Sequence, residues 1–207
     1  MYKHFFKPLL DRLVALILMV ILSPIFILIC ILIIFFYRTN PFFVQSRPGL
    51  NEKIFNLIKF KTMTDETDDY GDLIEDYKRR TKLGNFLRNS SLDELPEIFN
   101  VLKGEMSLIG PRPLLQEYIS KYSDEQRLRH KVRPGITGLA QINGRNLLTW
   151  EEKFILDVKY VKNISFITDF KIIVRTIFVL LNAKDINQSD KITMEKFKGS
   201  IQENNER

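Results

Sequence analysis

The stretch that decides the fold runs from Leu13 to Phe36, LVALILMVILSPIFILICILIIFF. It carries no charge, and a straight helix of its length reaches about 36 Å, enough to cross a bilayer. It is too long for a signal peptide, and no small-residue cleavage site follows it. A single transmembrane helix is the simplest reading. Ser23-Pro24 at the centre argues for a bent one. Pro24 has no N–H, and its ring crowds the carbonyl of Val20. Ser23 can turn its hydroxyl onto the carbonyl of Met19, which bends the helix further. Polar backbone freed at mid-membrane has to find a partner. The flanks add a second argument. Lys3, Lys7 and Arg12 precede the stretch; Arg38, Arg47, Lys53, Lys59 and Lys61 follow it. Basic flanks mark the cytoplasmic side, and here both flanks are basic. A re-entrant hairpin that enters and leaves through one leaflet satisfies both, whereas a kinked transmembrane helix satisfies one. The residues alone leave both open.

The chain has 207 residues, enough for one ordinary domain plus a membrane element. Lys and Arg total 31 against 25 Asp and Glu, a formal charge of +6 that suits anionic lipid or nucleotide phosphate. The basic residues are dispersed and the aromatics sit mainly in apolar segments, which argues against a nucleic-acid partner. The single cysteine, Cys30, allows no disulfide within the chain and fits a cytoplasmic body. With only His4 and His130, a His-based zinc site or a Ser-His triad has little to build on.

After the apolar stretch, NPFFVQSRPGLNEKIFNLIKFKTM predicts two short strands around a Pro48-Gly49 turn. Alternation puts Phe55, Leu57, Lys59 and Lys61 on one face. The acidic run from Asp65 to Asp76 has no ligand spacing and reads as a solvated loop. Leu83, Phe86 and Leu87 form a short amphipathic turn, and Leu95, Ile98, Phe99 and Leu102 follow at helical spacing, closed by Lys103-Gly104. HKVRPGITGLAQINGRN reads as a Gly-rich loop. Thr149 and Glu152 make a capping box for a helix through EKFILDVKYV. TDFKIIVRTIFVLLNA predicts an apolar helix that suits either a core or a membrane interface. Beyond Asp185 the chain is polar and reads as a frayed tail.

The chemistry points to SSLDELPEIFN. Pro96 belongs near a helix start, so a helix beginning about a turn earlier would be capped by Ser90 or Ser91, with Ser91 and Glu94 as a capping box. Asp93 and Glu94 then sit in the first turn, where acids stabilise a helix by about 0.3–1 kcal/mol. Structure alone explains them so far. Arg88 just upstream and Arg112, clamped between Pro111 and Pro113, change the balance. A Pro-flanked guanidinium is a rigid phosphate fork. Two carboxylates among cations beside a membrane suit a phosphorylated lipid and a metal, with Mg²⁺ the natural ion. An ionised Asp there can act as a nucleophile.

These motifs, KPLLDRLVALILMVILSPIF, RPGLNEKIFNLIKFKTM, LRNSSLDELPEIFNVLKGEMSLIGPRPLL, RPGITGLAQINGR and LDVKYVKNISFITDFKII, together resemble the bacterial sugar transferase family, the monotopic polyprenyl-phosphate phosphoglycosyl transferases. The resemblance runs from Lys7 to about Ala183, in the short, catalytic-core form. It implies transfer of a sugar-1-phosphate from a UDP-sugar to undecaprenyl phosphate with release of UMP. It implies Asp93 as nucleophile, Glu94 as a catalytic residue and Mg²⁺ ligand, and Arg88 and Arg112 as phosphate contacts. Lys59, Arg133, Arg145 and Asp157 are implied to line or support the site. The short form further resembles initiators of bacterial protein N-glycosylation, whose donor is UDP-N,N'-diacetylbacillosamine; another acetamido sugar stays open.

The fold expected is α+β: a re-entrant anchor over residues 1–38 broken at Ser23 and Pro24, a catalytic core over 39–184 with a small β-hairpin and interfacial helices, and a polar tail over 185–207. The protein is expected at the cytoplasmic face of the bacterial inner membrane, monotopic, in contact with membrane lipid, with its oligomeric state undetermined. A membrane-bound scaffold or lipid-binding module without catalysis is the rival reading.

Overall fold

A computed structural model of the chain describes residues 1–144, 147–181 and 196–199. After one π-turn at Tyr2–Phe6, helix α1 runs over Lys7–Tyr37 with Pro24 inside it, so the break expected at Ser23 and Pro24 does not interrupt the helix. Pro24 removes the amide that would have bonded the Val20 carbonyl. Ser23 Oγ donates to that same carbonyl at 2.8 Å. The expected bond to Met19 is therefore replaced by one that closes the gap the proline opens. α1 ends where Arg38 turns left-handed (φ 52°) and gives its N–H to Ile34.

α1 is apolar on nearly every face, yet only one side is covered. Ala15 packs on Phe55, Leu57, Ile98, Val101 and Met106. Beyond Pro24, Ile29 and Ile33 pack on Phe60 and Leu87. The opposite side, including Leu13, Ile17, Val20, Ile21, Leu28 and Phe35, is bare. Both ends are tied to the polar body. Tyr37 shares a hydrogen bond with Thr81 at one end. At the other, Lys7 Nζ meets Asp169 at 2.9 Å and Asp11 at 3.5 Å, while the Tyr2 and Tyr160 hydroxyls donate to Asp169 at 2.7 and 2.8 Å.

The body begins with the expected hairpin. β1 (Phe42–Pro48) pairs antiparallel with β2 (Ile54–Phe60), register Phe42↔Phe60 to Pro48↔Ile54. The acidic run is exposed, as expected of a solvated loop, and ends in the short α2 (Asp76–Arg79). α3 (Lys82–Asn89) is capped by Thr81 and buries Leu87 while Phe86 stays out. α4 (Glu97–Lys103) then crosses the free edge of β2. Its fully buried Asn100 accepts from the Ile58 amide at 3.1 Å and donates to the Asn56 carbonyl at 2.7 Å. That side chain satisfies edge groups that would otherwise be stranded in a core.

The segment read as a Gly-rich loop is more ordered than expected. β3 (Ser107–Ile109) is followed by a 3-10 stretch (Gln116–Lys121), α5 (Asp124–Arg127) and a second 3-10 stretch (Leu128–Lys131). β4 (Gly135–Thr137) then pairs parallel with β3, and α6 (Leu139–Ile142) follows. The ladder needs glycine because the two backbones nearly touch: a Cβ on Gly135 would lie 2.0 Å from the Gly110 nitrogen. α7 (Trp150–Lys162) starts with the predicted Thr149–Glu152 capping box. α8 (Phe166–Leu181) is the predicted apolar helix; it buries Ile172 but leaves Phe166, Ile167, Phe170, Ile177 and Phe178 bare.

Most of the tail over 185–207 lies outside the described residues. Residues 196–199 correct the frayed reading: Phe197 is 2 % exposed among Tyr118, Tyr122 and Phe154. An aromatic side chain in an otherwise polar segment was the available signal.

Asp169→Leu leaves Lys7 with only the longer contact to Asp11 and removes the acceptor shared by the Tyr2 and Tyr160 hydroxyls, so it should cost about 3 kcal/mol in thermal or denaturant unfolding of the detergent-solubilised protein. The pair Lys7→Met/Asp169→Leu, which removes both charges, should regain much of that loss.

Candidate active site

Asp93 and Glu94 do not sit in the first turn of a helix. α3 ends, Ser91 takes a left-handed conformation (φ 57°), and Leu92–Glu94 form a separate 3-10 turn. Pro96 is the residue before α4, and the Ser91–Glu94 capping box is not made. The physical reason is competition for Glu94. Its Oε1 receives Lys59 Nζ at 2.7 Å and Arg112 Nη2 at 2.6 Å, so the carboxylate answers two full cations instead of a backbone amide. The turn thus presents its acids to the hairpin and to the Pro111–Pro113 mount rather than to a helix amide.

Lys59 comes from β2 and also reaches Glu97 at 3.1 Å. Glu97 opens α4 and is 2 % exposed. Burial lifts its pKa, Glu94 lifts it further, and the balance stands at about 7 despite Lys59 and Arg112. Burial works on Glu94 in the same sense, but Arg112 and then Lys59 override it and hold Glu94 well below the usual carboxylate range. Glu94 in turn keeps Arg112 firmly protonated. One lysine and one arginine therefore keep one glutamate ionised, and the second glutamate titrates near neutrality.

Asp93 is the odd member. Its carboxylate makes no hydrogen bond and no ion pair among the described residues, although Lys59, Arg112 and Arg88 all favour its charge. Burial, then Glu94, raises its pKa above the ordinary value. A carboxylate that is unpaired and more basic than usual is a better nucleophile than one committed to a salt bridge. Arg88 is anchored through Nε to the Thr62 hydroxyl at 2.8 Å. Burial, then Arg80, pulls its pKa down.

Arg112 is held from behind. Arg129, 3 % exposed, donates to the Arg112 carbonyl at 2.7 Å and pairs with the buried Asp157 at 2.8 Å. Asp157 therefore supports the fork through Arg129 and does not face the carboxylates. Burial raises its pKa while Arg129 opposes the rise. Arg133 lies elsewhere: its Nε donates to the Gly104 carbonyl at 2.7 Å, and it lines a cavity at the start of α1. Arg145 falls outside the described residues. Burial, reinforced by Arg129, drives His130 to about 4, so it is neutral near pH 7 and faces the Gly49 carbonyl.

A family model described as bacterial sugar transferase matches residues 2–183. The chain belongs to the bacterial sugar transferase family. It is 54 % identical over 159 residues to the uncharacterized sugar transferase EpsL of Bacillus subtilis strain 168, covering 77 % of this chain and 79 % of that one. It is 34 % identical over 184 residues to the exopolysaccharide production protein ExoY of Sinorhizobium fredii, covering 81 % of each. It is 40 % identical over 185 residues to the UDP-glucose:undecaprenyl-phosphate glucose-1-phosphate transferase of Klebsiella pneumoniae. That match takes in 84 % of this chain but 39 % of the longer relative.

Within this transferase the fold brings Lys59, Arg88, Asp93, Glu94 and Arg112 into one electrostatic group. Sequence reasoning missed Glu97, one residue past Pro96, because an acid at the start of a helix has a sufficient local explanation. It also missed Arg129 and Lys153. Burial, then Arg112, depresses Lys153 to about 8. Arg47 went unassigned as well; its Nε is buried without a partner, and burial and Arg112 lower its pKa. Nothing in the sequence spacing brings these residues to Arg112.

Glu97 binds its proton more tightly folded than unfolded, so the native protein should lose stability as pH rises from about 4.5 to about 7. Unfolding midpoints measured across that window should fall for the wild type, and Glu97→Gln should flatten this part of the profile.

Proposed function

We propose that this protein transfers a sugar-1-phosphate from a UDP-sugar to undecaprenyl phosphate by way of a covalent enzyme intermediate. The observation that carries the reading is Asp93: the acid without a partner in a cluster whose other two carboxylates are paired. The relatives from Klebsiella pneumoniae and Komagataeibacter xylinus are named as undecaprenyl-phosphate glucose-phosphate transferases, which supports the acceptor and the reaction type.

In this scheme an Asp93 oxygen attacks the sugar-bearing phosphorus of the donor. The bond from that phosphorus to the bridging oxygen breaks, and UMP leaves with the electron pair. The aspartyl phosphosugar is then attacked by an oxygen of the lipid phosphate, the acyl–phosphate bond breaks, and Asp93 is regenerated as a carboxylate. Arg88 and Arg112 are placed to meet phosphoryl charge, and Lys59 keeps Glu94 in position. Among the described residues no three metal-ligating side chains cluster, so a dedicated metal cage is absent there. Mg²⁺ is commonly held by one or two carboxylates plus substrate phosphates, and that mode fits. Both cations bond Oε1 of Glu94, which leaves Oε2 for the ion. When bound, it would neutralise charge on the diphosphate.

The acceptor's isoprenoid tail cannot leave the membrane, since each buried methylene is worth about 0.8 kcal/mol. The enzyme has to meet it at the surface. The proposal is that α1 is re-entrant, at the cytoplasmic face of the inner membrane. A helix of its length spans about 46 Å, and a straight crossing would separate its ends by more than the apolar core of a bilayer. Ties to one body at Lys7, Ala15, Ile33 and Tyr37 are difficult to reconcile with such a crossing. An apolar cavity of about 200 Å³ between Met19, Leu22 and Phe26 of α1 and Leu95 and Phe99 opens next to the Asp93 turn, where the first tail units would fit. The scaffold reading accounts for the bare apolar faces but leaves the unpaired Asp93 without a purpose.

The donor sugar is the least constrained part. We carry UDP-N,N'-diacetylbacillosamine or a related acetamido sugar as the donor on the chain's resemblance to short family members, with protein glycosylation as the pathway. The relatives from Klebsiella pneumoniae, Komagataeibacter xylinus and Xanthomonas campestris are named for glucose, and one from Streptococcus agalactiae is named a galactosyl transferase.

Asp93→Asn should lower UMP release on the order of a thousandfold or more. Intact-mass analysis of the wild type with donor alone should show a sugar-phosphate adduct on Asp93. Adduct formation should weaken as pH falls toward an Asp93 pKa above the ordinary carboxylate value, because only the ionised form attacks. A panel of UDP-sugars read by UMP release separates acetamido donors from glucose. Impermeant maleimide should reach single cysteines at positions 3 and 68, in a Cys30→Ser background, only from the cytoplasmic side; labelling from opposite sides would refute the re-entrant anchor.

A further inference from the structure

A second, unassigned cavity of about 320 Å³ lies at the start of α1, walled by Lys3, Lys7, Asp11, Asn51, Lys131 and Arg133. Its charge is unbalanced. Lys7 is committed to Asp169 and Asp11, and Asp11 is further held by the Ser107 hydroxyl. Lys3 and Lys131 make no hydrogen bond or ion pair among the described residues, and Arg133 commits only its Nε, to Gly104. Three cations from two separate segments thus converge on one hollow with no free acid to answer them. Strands, turns and helices do not need this arrangement; like charges brought together cost stability unless an anion joins them.

The setting identifies the anion. The cavity's wall is itself partly apolar, with Pro8, Leu50, Val132 and Ile164 beside the cations, and the exposed Phe166 and Ile167 follow Ile164. Tyr2, in the turn before α1, contacts Phe166 at the start of α8 edge to face, with ring centroids 6.1 Å apart, so the exposed apolar surface of α8 begins beside the same N-terminal segment. A free phosphate would gain nothing from that apolar border. A lipid uses both, placing its phosphate among the cations and its chains against Pro8, Leu50 and Ile164.

We propose that this cavity binds the headgroup phosphate of an anionic membrane phospholipid, apart from the acceptor's site at Asp93. The assignment relies on the membrane-facing placement of α1 and α8, not on the chemistry of Asp93, so it stands or falls separately from the transferase reading.

The test is native mass spectrometry of the full detergent-solubilised chain titrated with phosphatidylglycerol. Lys3→Glu/Lys131→Glu should weaken binding about tenfold or more, while Lys78→Glu/Lys162→Glu, the same charge change at exposed lysines outside the cavity, should shift it by less than about twofold. Lys131→Gln, milder and fully surface-borne, should weaken binding in the same direction and serves if the double variant does not fold. Phosphatidylcholine should bind more weakly than phosphatidylglycerol, and millimolar inorganic phosphate should not displace the lipid. Equal loss in both double variants, unchanged binding in Lys131→Gln, equal binding of phosphatidylcholine, or displacement by inorganic phosphate would each overturn the proposal.

Discussion

The structure depends on one buried carboxylate. Asp169 accepts from Tyr2, Lys7 and Tyr160, and so draws the start of α1, the end of α7 and the first turn of α8 to a single point. A buried ion pair is seldom a net gain in stability over a packed apolar pair. What it confers here is register. α1 is apolar nearly all round, so hydrophobic burial alone would let it rotate or slide on the body. Lys7 can meet Asp169 in only one such placement. That placement sets the first turns of α1 and α8 together, leaves an apolar side of each helix exposed, and sets the height of everything attached to α1.

The carboxylate cluster around Glu94 follows from the same body by a different logic. β2 carries Lys59, α4 is fastened to the edge of β2 by Asn100, and the β3–β4 ladder, with its touching glycines, mounts Arg112. Three rigid pieces thus bring three carboxylates and two cations into one small volume. Electrostatics then divides the labour. Glu94 takes both cations and stays ionised, Glu97 shares Lys59 and titrates near neutrality, and Asp93 is left unpaired, its pKa raised by burial and by Glu94. Behind Arg112, the Asp157–Arg129 pair fixes the loop from the far side.

Elements with a local cause were legible in the residues. The β-hairpin follows from alternation around Pro48-Gly49, the α7 start from the Thr149–Glu152 box, and α8 from its apolar run. Elements decided by distant partners were not. The Ser91–Glu94 capping box is plausible locally and is absent because Lys59 and Arg112, remote in sequence, compete for Glu94. The segment around Gly135 looked like a loop because its strand is three residues long and has its partner some thirty residues away. Phe197 looked like tail because its aromatic neighbours come from two other segments, around Tyr118–Tyr122 and Trp150–Phe154.

The sequence by itself determined that a long apolar helix with Ser23-Pro24 at its centre precedes an α+β body, and that Asp93, Glu94, Arg88 and Arg112 fall close together along the chain. Composition, periodicity and proline chemistry act within a few residues, so they can be read without coordinates. Only the tertiary structure decided which acid is free and which are paired. It also placed Glu97 and Lys59 in the cluster, set Asp157 and Arg129 behind Arg112, and moved Arg133 to the rim of a different cavity. Ionisation and pairing depend on distances of a few ångströms between segments far apart in the chain, and those distances exist only once the core has packed.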